Sequence, residues 1–455
     1  MGIAVGVVAL AAAQGCAINP RPSFEETSTR VKTRTGLETT WMRSEADEVA
    51  VVARVRDILR KPLTPRSAAQ IALVNNRGLQ ARLEELGIAQ AHLSAAGLPL
   101  NPEIEGFLGW PSGQGESKKF DIGFGIDILD LLVLPSRKRL AALELKQAKA
   151  IAGAEILRTA TEAQTLAYDF QGVEMTLGST ITALEIEEAL TEFAEARKKA
   201  GNLSDLEYEE ERAHLDELRT RRASLELEVR RKREGINQAL SLWGDLTEWT
   251  MEPLSSDLPA TDPEGRDFES VALEQRFDLA AARAAIDLLE GALRLQKNTR
   301  VFPAGVRVGA HIEKEGNVRV TGPTVSLQLP IFNPGRAESA RVEALYFQAQ
   351  RLFEDRAARA RSEVREKRDQ LFASRELVRH YEEVAGPRKK RIVEMTKGYY
   401  NMMLKGADDL LRARRDEIEA EAFLTDARRS YWIARTELAQ ALGGSIPGIH
   451  EGDKR

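Results

Sequence analysis

Hydrophobic positions along this chain change period in a fixed order. Between Thr64 and Gly97, apolar residues recur at helical spacing, with Ile71, Leu79, Leu83, Leu86 and Ile88 on the stripe. Thr64 suits a cap and Pro65 a first turn, so a helix is expected there. After Gly97-Leu98-Pro99-Leu100-Asn101-Pro102 the period drops to two. Phe120, Ile122, Phe124, Ile126 and Ile128 alternate with Asp121, Gly123, Gly125 and Asp127. Strands are predicted over Glu103–Pro111 and Lys119–Ile128, joined by a polar hairpin loop. A 3–4 spacing then returns in Ala152, Ile156, Ala160, Ala163, Ala167 and Phe170, as a coiled-coil seam requires. Nearly unbroken helix is expected from Pro135 to about Ala200, roughly 95–100 Å at 1.5 Å per residue. A return helix follows over Leu206–Leu242.

The same order then repeats about two hundred residues later. Strands are predicted over Gly305–Lys314 and Val318–Ile331, with a turn at Glu315-Gly316-Asn317. Val306, Val308, Ile312 and either Ala310 or His311 mix with Arg307 and Gly309. A long helix from Pro334 to about Leu404 and a return over Asp409–Leu442 complete the second copy. Asn76-Arg77-Gly78-Leu79-Gln80-Ala81 is echoed by Gln275-Arg276-Phe277-Asp278-Leu279-Ala280, and Pro135-Ser136-Arg137 by Pro334-Gly335-Arg336. The organisation is therefore a leader 1–15, an N-terminal segment 16–62, a first unit 63–245, a linker 246–266, a second unit 267–444 and a tail 445–455. Segment 17–62 is polar and irregular, with one short helix near Asp47–Leu59. A duplicated unit of this kind builds rotationally symmetric assemblies. Strands with one apolar and one polar face fit a barrel wall or a half-buried soluble sheet. Four strands cannot close a barrel, so other copies must cover the edges.

Composition narrows the choices. Of 455 residues, 30% are charged and only 6% aromatic, which favours long helices packed side by side. A net charge of −5 offers no footprint for nucleic acid. Five His, at scattered positions, and one Cys leave little for a metal or nucleophile site, and no catalytic motif stands out, so neither enzyme nor bound cofactor is expected. No apolar run reaches the roughly 18–20 residues of a membrane helix, so any crossing must use strands. The single cysteine, Cys16, follows an apolar stretch from Met1 to Leu10 and the run Ala13-Gln14-Gly15. It reads as a lipid attachment site behind a cleaved lipoprotein signal, although no Lys or Arg precedes the apolar core; the alternative is a buried free thiol.

Together these elements resemble the TolC-type outer membrane efflux channels from residue 62 to 444. The resemblance rests on Leu63-Thr64…Ala68…Ala72-Leu73…Asn75-Asn76, the passage Leu327-Gln328-Leu329-Pro330-Ile331-Phe332-Asn333-Pro334-Gly335, and two hairpin tips. It implies a mostly α chain with a small membrane β-barrel. Long antiparallel coiled-coil helices would form a periplasmic tunnel, and four strands per chain would complete a 12-stranded barrel as a homotrimer. A periplasmic adaptor and an inner-membrane pump would dock below. The tips, Gly201, Asn202, Leu203 and Ser204 with Gly406, Ala407 and Asp408, would touch the adaptor.

Drug-exporting members narrow the pore with acids where this chain carries Arg412 and Arg415, and place a latching arginine where it has Asp408. The acidic partner of that latch maps to Glu207, leaving two acids and no obvious pair. Glu207 or Glu210 facing Arg412 or Arg415 is the substitute expected at the constriction; the alternative is a solvated face. Met402 and Met403 sit in a phrase resembling metal-efflux branches, particularly copper, yet adjacent residues diverge by about 100° on a helix, and helix packing is their expected role. Trp41, Trp243, Trp249 and Trp432 are expected to pack near unit boundaries, and Trp110 with Phe107 to join an interfacial belt or a core. The function implied is a passive exit duct for small solutes such as copper or drugs. A periplasmic coiled-coil adaptor or scaffold without a pore is the rival reading.

Overall fold

A computed structural model describes residues 18–110, 112, 118–262, 267–299, 305–328, 331–332 and 334–447; Cys16 lies outside them. The order is α1 (Arg21–Thr35), α2 (Glu45–Leu59), α3 (Pro65–Asn75), α4 (Arg77–Ala96), β1 (Glu103–Gly109), β2 (Lys119–Asp127), α5 (Ile128–Lys199) and α6 (Asp205–Leu240). The second half runs α7 (Phe268–Gln275), α8 (Phe277–Thr299), β3 (Val306–Glu315), β4 (Val318–Leu327), α9 (Arg336–His380), a π turn (Tyr381–Ala385), α10 (Gly386–Asn401) and α11 (Ala407–Ala441).

The chain divides into two compact units. One holds residues 18–27, 82–152 and 277–357 of those described, and contains the sheet. Its strands pair antiparallel in the order β1-β2-β3-β4, so the two sequence repeats meet at β2–β3. Phe124 lies opposite Ile104 and Ala310, and Ala310 opposite Pro323. This register gathers Ile104, Leu108, Phe120, Ile122, Phe124 and Ile126 on one face with Val308, Ile312, Val325 and Leu327. The other face carries Glu103, Glu105, Asp121, Asp127, Arg307, His311, Glu313 and Glu315, and is apolar only at Phe107, Val318 and Val320. The ambiguity in β3 is resolved: Ala310 belongs to the apolar face, and His311 joins the polar one with Nδ1 3.2 Å from Asp121. Glycine is needed at 309, where a Cβ would lie 1.9 Å from the Phe124 carbonyl oxygen. Both sheet faces are largely exposed, and β1 and β4 leave open edges.

The other unit holds residues 28–81, 153–276 and 358–447 of those described. Beyond Ala152 the expected seam is its core: Ile156, Ala160, Ala163, Ala167 and Phe170 are all buried. Phe170 meets Trp249 edge-on at 5.3 Å. Equivalent helix junctions recur in both halves. Asn76 (φ −61°, ψ 115°) and Arg276 (φ −63°, ψ 129°) adopt the same extended conformation between helices. Asn76 Nδ2 donates to the Ala239 carbonyl at 2.8 Å, and Arg276 Nη1 to that of Ala441 at 3.3 Å. The spatial repeat is therefore offset by one residue from the echoed phrase.

Several boundaries differ from expectation. The helix expected through Gly97 breaks at Asn76, whose Oδ1 accepts from Leu79 N–H at 2.7 Å and caps α4. The first long helix starts at Ile128 rather than Pro135, because Asp127 Oδ1 accepts from Asp130 N–H at 3.0 Å, and Pro135 rides inside the helix. It spans 72 residues, about 108 Å at 1.5 Å per residue. The second long helix is interrupted by the π turn, where Gly386 N–H bonds the Tyr381 carbonyl and a Cβ would lie 2.8 Å from it. Pro387 then removes a donor. Segment 17–62 holds two helices rather than one. Trp243 is exposed rather than packed, since the chain leaves α6 through Ser241 at φ 52°.

Candidate functional site

The hairpin tips and the charged cluster behind them lie within the compact unit that holds residues 153–276 and 358–447. The first tip closes with Gly201 at φ +74°, while Asn202 N–H returns to the Arg197 carbonyl at 2.8 Å. Ser204 starts α6 through a reciprocal capping box. Glu207 N–H donates to Ser204 Oγ at 3.2 Å, and Ser204 N–H donates to Glu207 Oε2 at 2.9 Å. Bonds from the Ser204 backbone and hydroxyl hold the Glu207 carboxyl below the usual range. At the second tip Met403 takes φ +58°, and Leu404 N–H reaches the Tyr399 carbonyl at 2.9 Å. This turn ends the helix at Asn401, so Met402 and Met403 do not pack on a helix; Met403 is 94% exposed. Asp409 accepts from Gly406 N–H at 3.1 Å and pairs with Lys405 at 2.9 Å.

The two hairpins are joined by ion pairs that differ from the expected ones. Asp408 does have a cation: Arg197, at the end of α5, approaches it to 3.5 Å. Arg412 pairs with Glu211, and Arg415 with Glu187 at 3.1 Å. Glu207 is committed to its cap and Glu210 is exposed, so neither meets an arginine of α11. The reason is helical pitch: Glu211 lies one turn beyond Glu207, on the buried side of α6 with Leu215. Glu187 is fully buried and its Oε1 has no hydrogen-bond partner; Glu211 Oε2 is likewise unpartnered. Burial raises the Glu187 carboxyl, Arg415 pulls it down, and the neighbouring Glu211 raises it, with a net upward shift. Deeper in the bundle, Asp169 accepts both Lys232 and Arg429. A run of Arg on α11 and isolated Glu residues on the seam sides of α5 and α6 were the available sequence signals. Their pairing depends on interhelical register.

No cluster of three or more potential metal-ligating His, Cys, Asp or Glu side chains occurs among the described residues, and no described helix is long and apolar enough to cross a membrane. Two helical hairpins, each introduced by its own strand pair of a two-faced sheet, make a fold shared with solved outer membrane channels. The chain aligns with a membrane protein from Pseudomonas aeruginosa at TM-score 0.70 and 19% identity, covering 83% of this chain and 93% of that one. It aligns with CusC, described in connection with transmembrane channel formation, at TM-score 0.68 and 17% identity, over 84% and 92%. The Campylobacter jejuni CmeC outer membrane channel gives TM-score 0.68 and 17% identity, over 84% and 86%. No protein-family model and no curated protein matches the chain.

Proposed function

We propose that three copies of this chain form a passive exit duct in an outer membrane, delivering small solutes outward as the last element of a tripartite efflux assembly. The observation that carries this reading is the two-faced sheet with open edges, set in a fold shared with outer membrane channels. A lone four-stranded sheet leaves backbone donors and acceptors unpaired at β1 and β4, which a bilayer does not tolerate. Pairing β4 of one copy with β1 of the next removes every edge after three copies and closes 12 strands. The apolar face then meets lipid and the acidic face lines the pore.

The chain supplies a path rather than chemistry, so energy comes from an inner-membrane pump reached through a periplasmic adaptor. Exposed Leu206, Met402, Met403 and Leu404 at the two tips are the surface offered to that adaptor. Lipid on Cys16 would tether the N-terminal segment to the membrane, and Trp110, exposed just beyond β1, fits the outer interface. Copper and drugs are the cargo candidates; the exposed methionines suit a soft ion only as separate weak ligands. Reconstituted into planar bilayers, the full-length protein should give discrete, ohmic conductance steps. A pore-less scaffold would give none at any protein concentration.

A further inference from the structure

We propose that the helix-proximal rim of the sheet is a docking collar for anionic phospholipid, which rests on the barrel reading above. The register places the start of β1, the end of β2, the start of β3 and the end of β4 at one end of the sheet. The chain segments leaving that end are apolar and exposed, unlike an ordinary helix start. Leu132 is exposed on the opening turns of α5, and Phe332, beyond β4, is 100% exposed. At 3.6 residues per turn, the spacings of three, four and seven from Ile128 place Leu131, Leu132 and Pro135 on one face of α5 with it. Lys138 and Arg139, seven residues beyond Leu131 and Leu132, follow on that same face two turns later.

That face is therefore apolar for two turns and basic on the third. Leu132 and Arg139 are separated along the axis by about 10 Å, close to the depth between acyl boundary and phosphate at which interfacial helices lie. The second repeat has the same order, exposed Ile331 and Phe332 followed by exposed Arg336. The apolar part continues the lipid-side face of the sheet, since Ile128 follows Ile126 by one strand period.

Charge selects the headgroup. Two of the nearby acids already have cations: Asp130 binds Arg137 and accepts Leu100 N–H at 3.0 Å, and Glu338 pairs with Arg341 at 2.6 Å, while Asp127 accepts the Asp130 N–H at the start of α5. Lys138, Arg139 and Arg336 are exposed and have no ion pair among the described residues. Arg137 also donates to the Ala96 and Leu98 carbonyls, fixing the loop before β1 against α5, so the collar is preformed. Three unpaired bases lying just beyond an apolar band match phosphate groups carrying net negative charge.

The test reconstitutes the full-length protein into phosphatidylethanolamine vesicles with or without phosphatidylglycerol, then counts lipids retained after detergent extraction. Wild type should retain phosphatidylglycerol in excess of its bulk share, and the excess should fall with salt. Each base near an anionic surface is worth about a fivefold gain, so K138Q/R139Q should lose most of the excess while still inserting. Adding R336Q should abolish it. Insertion without any phosphatidylglycerol preference, or a preference unchanged in the triple variant, overturns the collar. Failure of wild type to insert into either vesicle overturns the duct reading and the collar with it.

Discussion

Replacing Arg415 with Met should lower the stability of the helical hairpins by about 3–5 kcal/mol, the cost of leaving a buried charge without its partner. Glu187 is fully enclosed and Arg415 is the cation on its Oε2. Glu187→Gln should cost far less, because the amide keeps the shape, still accepts from Arg415 and can donate toward Glu211. The two variants should also differ in pH response. Burial and Glu211 raise the Glu187 carboxyl despite Arg415. The stabilisation from this group is therefore complete below the ordinary glutamate pKa and is lost as pH climbs through the raised value. One proton held between Glu187 Oε1 and Glu211 Oε2 would satisfy both unpartnered oxygens. Melting profiles across pH should show wild type weakening over that window and Glu187→Gln lacking that component. The Arg415→Met loss should shrink in acid, where a protonated Glu187 needs no cation. Equal, pH-independent losses in both variants would remove Glu187 from this role.

Lysine on the apolar face of the sheet should be nearly as damaging. Ile122 sits mid-strand on β2 between Gly106 and Ile312. On the proposed duct reading a Lys there would face the bilayer centre and should cost about 2–4 kcal/mol. Thr324→Lys, on the opposite face of β4, should cost well under half of that, because the same reading turns this face to the water of the pore. Refolding into lipid vesicles under urea titration measures both. Equal costs on the two faces would mean that neither meets lipid.

Strand alternation and the alanine seam were legible because each is a local period that survives any helix–helix register. From Ile156 to Phe170 every seam residue named from spacing is buried, and the alternation of β2 fixes both faces of the sheet. Helix starts were less legible. Pro135 looks like a first-turn residue, but capping by Asp127 starts the helix earlier. The break at Asn76 depends on one side-chain oxygen, and the π turn depends on a close carbonyl approach at Gly386. The charged cluster was least legible. Among 70 acidic and 65 basic residues, only interhelical register selects Glu187 and Glu211 over Glu207 and Glu210. Arg197 escaped notice as the Asp408 partner because it sits in an ordinary basic helix end.

Single-particle electron microscopy of the full-length protein, extracted from membranes in mild detergent, tests the central claim most directly. The expected image is a threefold hollow assembly in which β4 of each copy pairs with β1 of the next, closing a barrel about 30 Å tall above roughly 100 Å of helix. A monomer or dimer with free sheet edges, recovered from the soluble fraction, would contradict it.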